Sequence, residues 1–155
     1  MFNIQDILIK SSFIFIDNPK NKKNVFSIIA EKASEKNSLK QDILFNSIFK
    51  REKLGSTSVG NGIAIPHVLI DSFQECKCII SILSNGIDFD SLDNTNVDLI
   101  FLLLMPKSNN IEHLQISASI SRLLRNSELT NKLRGCKNAE SAIAILSKII
   151  EDKAA

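Results

Sequence analysis

Two histidines and one arginine carry most of the reactive chemistry this chain can offer. His67 closes a run that begins at Arg51, passes Gly55, Ser56, Thr57, Gly60, Asn61 and Gly62, and ends in Ile65-Pro66-His67. Glycines let the main chain turn and approach a bound group closely. Pro66 fixes its own φ and biases Ile65 towards extended geometry, so the His67 ring starts from a stiff origin. A neutral imidazole nitrogen is a good nucleophile near pH 7 and can hold a phosphoryl group covalently. Arg51 can grip phosphoryl oxygens as a fork, which a lysine does less well. His113, the second histidine, opens a helical pattern, where N–H groups and the helix dipole favour anions. Main-chain and side-chain donors at Ser56, Thr57 and Asn61 are further candidates for phosphate contact. On composition alone, a glycine-rich turn feeding an edge strand, with each histidine solvated or structural, stands as the alternative.

Other chemistries lack their motifs. A Walker loop needs Gly-Lys-Ser/Thr, and the chain has none; Gly60 and Gly62 lack the third glycine and helix of a dinucleotide fingerprint. There is no G-x-S-x-G elbow, and no HExxH or CxxC to support zinc. Asp88, Asp90 and Asp93 approach a calcium-loop spacing but lack its glycine and terminal glutamate, and read as a solvated acidic loop.

The elements that must position these residues follow from periodicity. Ile4 to Ile9 reads as a helical turn and Ser12 to Ile16 as an extended segment, followed by the turn signal Asp17-Asn18-Pro19. Val25, Ile28, Ile29 and Ala33 mark a helix ending near Asn37. Ser38 with Gln41 reads as a capping box for a second helix, which turns Leu39, Ile43, Leu44 and Ile48 inward and ends near Arg51. Gly62 to His67 is expected as a strand, Val68 to Glu75 as a connection, and Cys76 to Ser84 as a strand. Asn85-Gly86 then signals a turn, with an acidic loop from Ile87 to Asn96. Val97 to Met105 is the most apolar run, expected as a central strand covered on both faces and stopped by Pro106. Asn109 with Glu112 forms a second capping box, which puts His113 in the first turn of a helix burying Ile116, Ile120, Leu123 and Leu124. A short helix from Ser127 to Arg134 closes at Gly135, and Asn138 caps a last helix. Helices flanking a few strands make a layered α/β domain.

At 155 residues the chain is expected to be one domain, residues 1–155 with a core of about 4–151. Its net charge of +2, with lysines scattered among acids and no Trp or Tyr, argues against nucleic acid as the main partner. No export signal or membrane-spanning stretch is present, so no direct membrane insertion is expected. Cys76, Cys78 and Cys136 are odd in number and lack zinc spacing, in keeping with reduced thiols in the cytoplasm.

The order of residues from Arg51 to His67 closely resembles the active-site segment of the type-2 enzyme IIA (EIIA) domains of the bacterial phosphoenolpyruvate-dependent phosphotransferase system. Fructose, mannitol and nitrogen-regulatory members share that segment, and the likeness is strongest to the nitrogen type. A second match is Val97 to Pro106 followed by His113-Leu114. The resemblance implies an α/β sandwich with a central mixed β-sheet flanked by helices. It implies His67 as the phosphorylated residue, His113 as the second histidine and Arg51 as the stabilising arginine, with no cofactor. The implied donor is the phosphocarrier protein HPr or its nitrogen-type counterpart NPr. Regulatory target proteins, or the EIIB domain of a sugar permease, would lie downstream. Three positions depart from the family pattern. Ser58 and Val59 stand where Gly and Ile are usual, and Val68 stands where Gly commonly follows the histidine. A positive φ at Ser58 would cost about 1 kcal/mol, and Val68 would narrow access to His67.

Overall fold

A computed structural model describes residues 3–107 and 110–154. Asn3 caps α1 (Ile4–Ile9), which leads into β1 (Ser12–Ile16). Asn21 accepts the Asn24 N–H and starts α2 (Lys22–Asn37). The helix ends with Ser38 in the left-handed region, φ 55°, and the Leu39 N–H returning to the Ser34 carbonyl. That is the hydrogen bond of a Schellman motif. Ser38 therefore terminates α2 and does not cap the next helix. Lys40 holds the N-cap of α3 (Gln41–Lys53), without a side-chain cap bond. Leu44 and Ile48 of α3 are buried and Leu39 is half-buried, whereas Ile43 is 57% exposed. Ile43 shares a helical stripe with Ser47, Arg51 and Leu54, the face that α3 turns away from the core.

The chain then forms β2 (Ser58–Gly60), β3 (Ile63–Ala64), β4 (His67–Leu69), β5 (Lys77–Ile87) and β6 (Val97–Met105), followed by α4 (Asn110–Leu123), α5 (Ser127–Arg134) and α6 (Ala139–Ala154). The strands make one mixed sheet in the order β1-β5-β6-β3-β2, with β4 also on β6. β6 pairs antiparallel with β5 on one side and parallel with β3 and β4 on the other. The expected strand from Gly62 to His67 is thus two pieces interrupted at Ile65-Pro66, and the second runs on to Leu69. Register is kept across the break: Ile63 lies opposite Leu99, and His67 opposite Leu103. Pro66 lacks a donor but its carbonyl accepts the Leu103 N–H at 2.9 Å, while the Ile65 N–H turns to the Thr57 carbonyl. His67 therefore begins a strand rather than ending one.

Asn61 and Gly62 form the two-residue loop between β2 and β3, both at positive φ (56° and 79°), as a type I′ hairpin requires. A Cβ at Gly62 would lie 2.9 Å from the Arg134 guanidinium, so this position excludes side chains on two grounds. Asn85-Gly86, expected as a turn, lies inside β5, where the pairing with β6 shifts register. A Cβ at Gly86 would lie 2.8 Å from the Asn96 side chain, so this glycine serves close approach and not reversal. Asn109, the expected cap of α4, lies outside the described residues.

β6 is buried along nearly its whole length. Leu99, Phe101, Leu103 and Met105 face a core shared with α4, α5 and α6; Ile100, Leu102 and Leu104 face a second core with α2 and α3. This double coverage explains its uninterrupted apolar sequence and makes the molecule an α/β sandwich with a mixed sheet. Leu102→Ala is expected to lower stability by about 2–5 kcal/mol, measured by urea denaturation.

Candidate phosphoryl-transfer site

Three elements converge at the end of the sheet where β4 begins. α3 brings Arg51 in its last turn, β4 brings His67 as its first residue, and α4 brings His113 in its first turn. All three side chains line one open cleft of about 620 Å³, together with Ser47, Lys50, Leu54, Leu69 and Leu114. A groove of similar volume between α1, the end of α2 and β5 holds charges of both signs and none of these three. The convergence of groups distinguishes the site, not the size of the cavity.

His67 is half-buried, and its pKa is lowered from the ordinary value of 6.5. Burial is the main cause, the Arg51 guanidinium adds to it, a hydrogen bond to the Ile65 main chain opposes it, and His113 contributes a smaller lowering. A neutral ring that donates one N–H to a carbonyl carries its lone pair on the other nitrogen. His113 is half-buried, and its Nε2 is buried without a hydrogen bond among the described residues. Arg51 donates from Nη1 to the Gly55 carbonyl at 3.1 Å, which fixes the guanidinium at its own helix end, where its charge acts on His67.

The structure brings His67, His113 and Arg51 together; it does not bring Ser56, Thr57 and Asn61 to them. Ser56 Oγ donates to the Phe89 carbonyl at 2.6 Å. Thr57 is buried and gives both its N–H and its Oγ1–H to the Glu52 carboxylate. Asn61 sits at the hairpin tip, with its N–H on Asp93 and its carbonyl on Arg134. At about 3.3 Å per residue, even Ile63 lies about 13 Å along β6 from His67, and Asn61 is farther still. The Asn-Gly pair at Asn61-Gly62 carried the hairpin signal that explains this placement. The departures from the family pattern at Ser58 and Val68 take ordinary strand positions. Ser58 is an ordinary strand residue without positive φ, and Val68 adds to the cleft wall while its side chain is buried towards α2 and α3. The lining residues Ser47, Lys50 and Leu54 were legible from α3, being on the same helical stripe as Arg51. Leu69 and Leu114 carried no such signal.

The family described as "Phosphoenolpyruvate-dependent sugar phosphotransferase system, EIIA 2" matches residues 7–149. The chain belongs to that family. It is 34% identical over 144 residues to a nitrogen regulatory protein of Bradyrhizobium diazoefficiens, covering 93% of this chain and 94% of the relative. Among solved structures it is similar to nitrogen regulatory protein IIA-Ntr from Neisseria meningitidis, with TM-score 0.78, 29% identity and coverage of 92% and 98% of the two chains. The fold also matches IIA mannitol from Escherichia coli, with TM-score 0.72 and 16% identity, over 94% and 99% of the chains. No helix among the described residues is long and apolar enough to cross a membrane.

The lowered pKa has a consequence for stability. The unfolded chain binds the His67 proton near pH 6.5, whereas the folded chain binds it only at lower pH, so the unfolded state binds more protons in between. The His67 contribution is therefore complete above about pH 6.5 and is lost as pH falls from there through the folded pKa. An NMR titration should place the His67 midpoint below 6.5, and Arg51→Ala should move it up. Thermal melts of His67→Ala should show a weaker fall in stability across that window.

Proposed function

We propose that this EIIA protein is a cytoplasmic phosphocarrier of the nitrogen-regulatory type, with His67 as acceptor of a phosphoryl group from the phosphohistidine of HPr or NPr. The observation that carries the reading is the meeting of His67, His113 and Arg51 in one cleft. The unprotonated ring nitrogen of His67 attacks phosphorus as the donor's N–P bond breaks, and the donor imidazole leaves with the electron pair of that bond. No proton has to depart, because the remaining ring N–H stays on the Ile65 main chain, whose hydrogen bond strengthens as the ring gains positive charge. Arg51 and His113 supply charge and a donor to the equatorial oxygens, which is most of what phosphoryl transfer asks of a protein.

The mouth of the cleft favours a protein donor over a small molecule. Leu54 is 81% exposed, Leu114 72% and Leu69 44%, and together they rim His67 with apolar surface. Such a rim suits a contact that buries leucines around a reacting centre. Phosphorylation places a doubly charged phosphoryl group on a ring that gains one positive charge, making the centre of that rim more negative, so it alters affinity for regulatory target proteins that dock there. The likeness to nitrogen regulatory proteins supports the regulatory role. Delivery to the EIIB domain of a separate sugar permease is the competing outcome, and the family's description as a sugar system keeps it in view.

Incubation with phosphoenolpyruvate, enzyme I and either HPr or NPr is expected to add one acid-labile phosphoryl group by intact mass, and none to His67→Ala. Failure to gain mass with both carriers would reject the phosphocarrier reading. Arg51→Ala should slow uptake by about 100-fold, with Arg51→Lys intermediate. His113→Ala should accept phosphate but pass it on poorly. Leu54→Ser, which adds no charge to the cleft, should weaken donor binding while leaving the His67 titration where it is.

A further inference from the structure

Glu52, next in sequence to Arg51, points the opposite way into the protein, with only 4% of its side chain exposed. A buried carboxylate is costly unless it is paired and hydrogen-bonded, and Glu52 is both. Lys22 Nζ lies 3.0 Å from its Oε1; the Thr57 N–H donates to both oxygens at 3.1 and 3.3 Å, and Thr57 Oγ1–H donates to Oε2 at 2.7 Å. Lys22 is itself held by the Phe89 carbonyl at 3.2 Å, by Asp90 at 3.1 Å and over the Phe89 ring at 4.5 Å. Ser56 Oγ also donates to the Phe89 carbonyl. The first turn of α2, the end of α3, the loop after β5 and the segment Gly55 to Thr57 are thereby drawn onto one carboxylate.

The geometry points to Glu52 as the positioning residue that holds Arg51 for phosphoryl transfer at His67. The link runs through Gly55. Glu52 anchors Thr57, Thr57 fixes the segment that begins at Gly55, and the Gly55 carbonyl accepts the Arg51 guanidinium. The Gly55 N–H closes the loop by donating to the Glu52 carbonyl at 3.1 Å. Thr57 also accepts the Ile65 N–H on its carbonyl, so the same clamp reaches the main chain beside the His67 ring. Arginine and histidine are thus set against each other by one buried anion that touches neither substrate nor acceptor. Ser56 and Thr57 serve the phosphoryl group by holding this frame, not by binding it.

The transfer half of this inference rests on the phosphocarrier reading; the positioning half does not, and two readouts separate them. The first is the His67 titration midpoint by NMR, which needs no donor. Removing a negative charge near a histidine lowers its pKa by direct field, whereas releasing the Arg51 cation raises it. Glu52→Gln should therefore raise the midpoint by about 0.5, and Thr57→Val, which leaves every charge in place, should raise it too. Lys22 keeps Asp90 and the Phe89 carbonyl in Glu52→Gln, so no buried cation is orphaned. In an Arg51→Ala background Thr57→Val should leave the midpoint where it is and Glu52→Gln should no longer raise it, only the direct-field lowering remaining, although both should cost the same stability as before. The second readout is transfer from the phosphorylated carrier, slowed about ten-fold by either substitution alone and less than two-fold when Arg51 is already alanine. A midpoint that falls or stays put, or effects of equal size in the two backgrounds, would overturn the positioning role. A midpoint that behaves as stated while the parent chain takes up no phosphate would reject the phosphocarrier reading alone.

Discussion

The parallel pairing of β6 with the segment from Ile63 to Leu69 is the constraint on which the site depends. β6 is packed on both faces, so slipping the pairing by one residue would turn an entire apolar set the wrong way. That locks His67 opposite Leu103. Pro66 interrupts the ladder without changing its register. The carbonyls of Gly62 and Pro66 face β6, so the alternate residue Ile65 turns its main chain the other way, with its N–H on the Thr57 carbonyl and a hydrogen bond to the His67 ring. Pro66 removes only a donor from the ladder and keeps the carbonyl that holds Leu103.

Around that fixed point the flanking helices supply charge from opposite ends. α3 contributes its C-terminal turn, where Arg51 is favoured by the helix dipole, and α4 contributes its N-terminal turn, where an anion is favoured. An incoming phosphoryl group would meet a cation held at one helix end and the favourable dipole of another. The exposed leucines at the rim leave apolar surface uncovered, as a surface kept for a partner does.

Much of this was legible in the residues because the signals were strong and local. β6 announced itself by an unbroken apolar run, and the stop at Pro106 and the helix ends at Arg51 and Gly135 followed from backbone chemistry. The order of residues from Arg51 to His67 specified the family, although not the geometry of the cleft. What failed were signals with two physical meanings. Ser38 looked like an N-cap and is instead the left-handed residue ending the previous helix. Asn85-Gly86 looked like a turn, but Gly86 is there because Asn96 leaves no room for a side chain. Ser56 and Thr57 looked available to a phosphate, because the sequence cannot show that Glu52 turns inward to hold Thr57, or that Phe89, far along the chain, holds Ser56. Long-range polar pairing is invisible to periodicity.

The three cysteines have a different meaning once their surroundings are known. Burial, with Glu112 and Glu75 nearby, pushes the Cys76 thiol up to about 12; burial pushes Cys78 and Cys136 up as well. At neutral pH Cys76 is therefore held as the thiol and not as the thiolate, the form that reacts with oxidants and disulfides. Cys78 sits on β5 within the core, where such reagents do not reach. Thiols held this way take little part in redox exchange, so the reactive nitrogen of the cleft has no sulfur chemistry beside it to compete with.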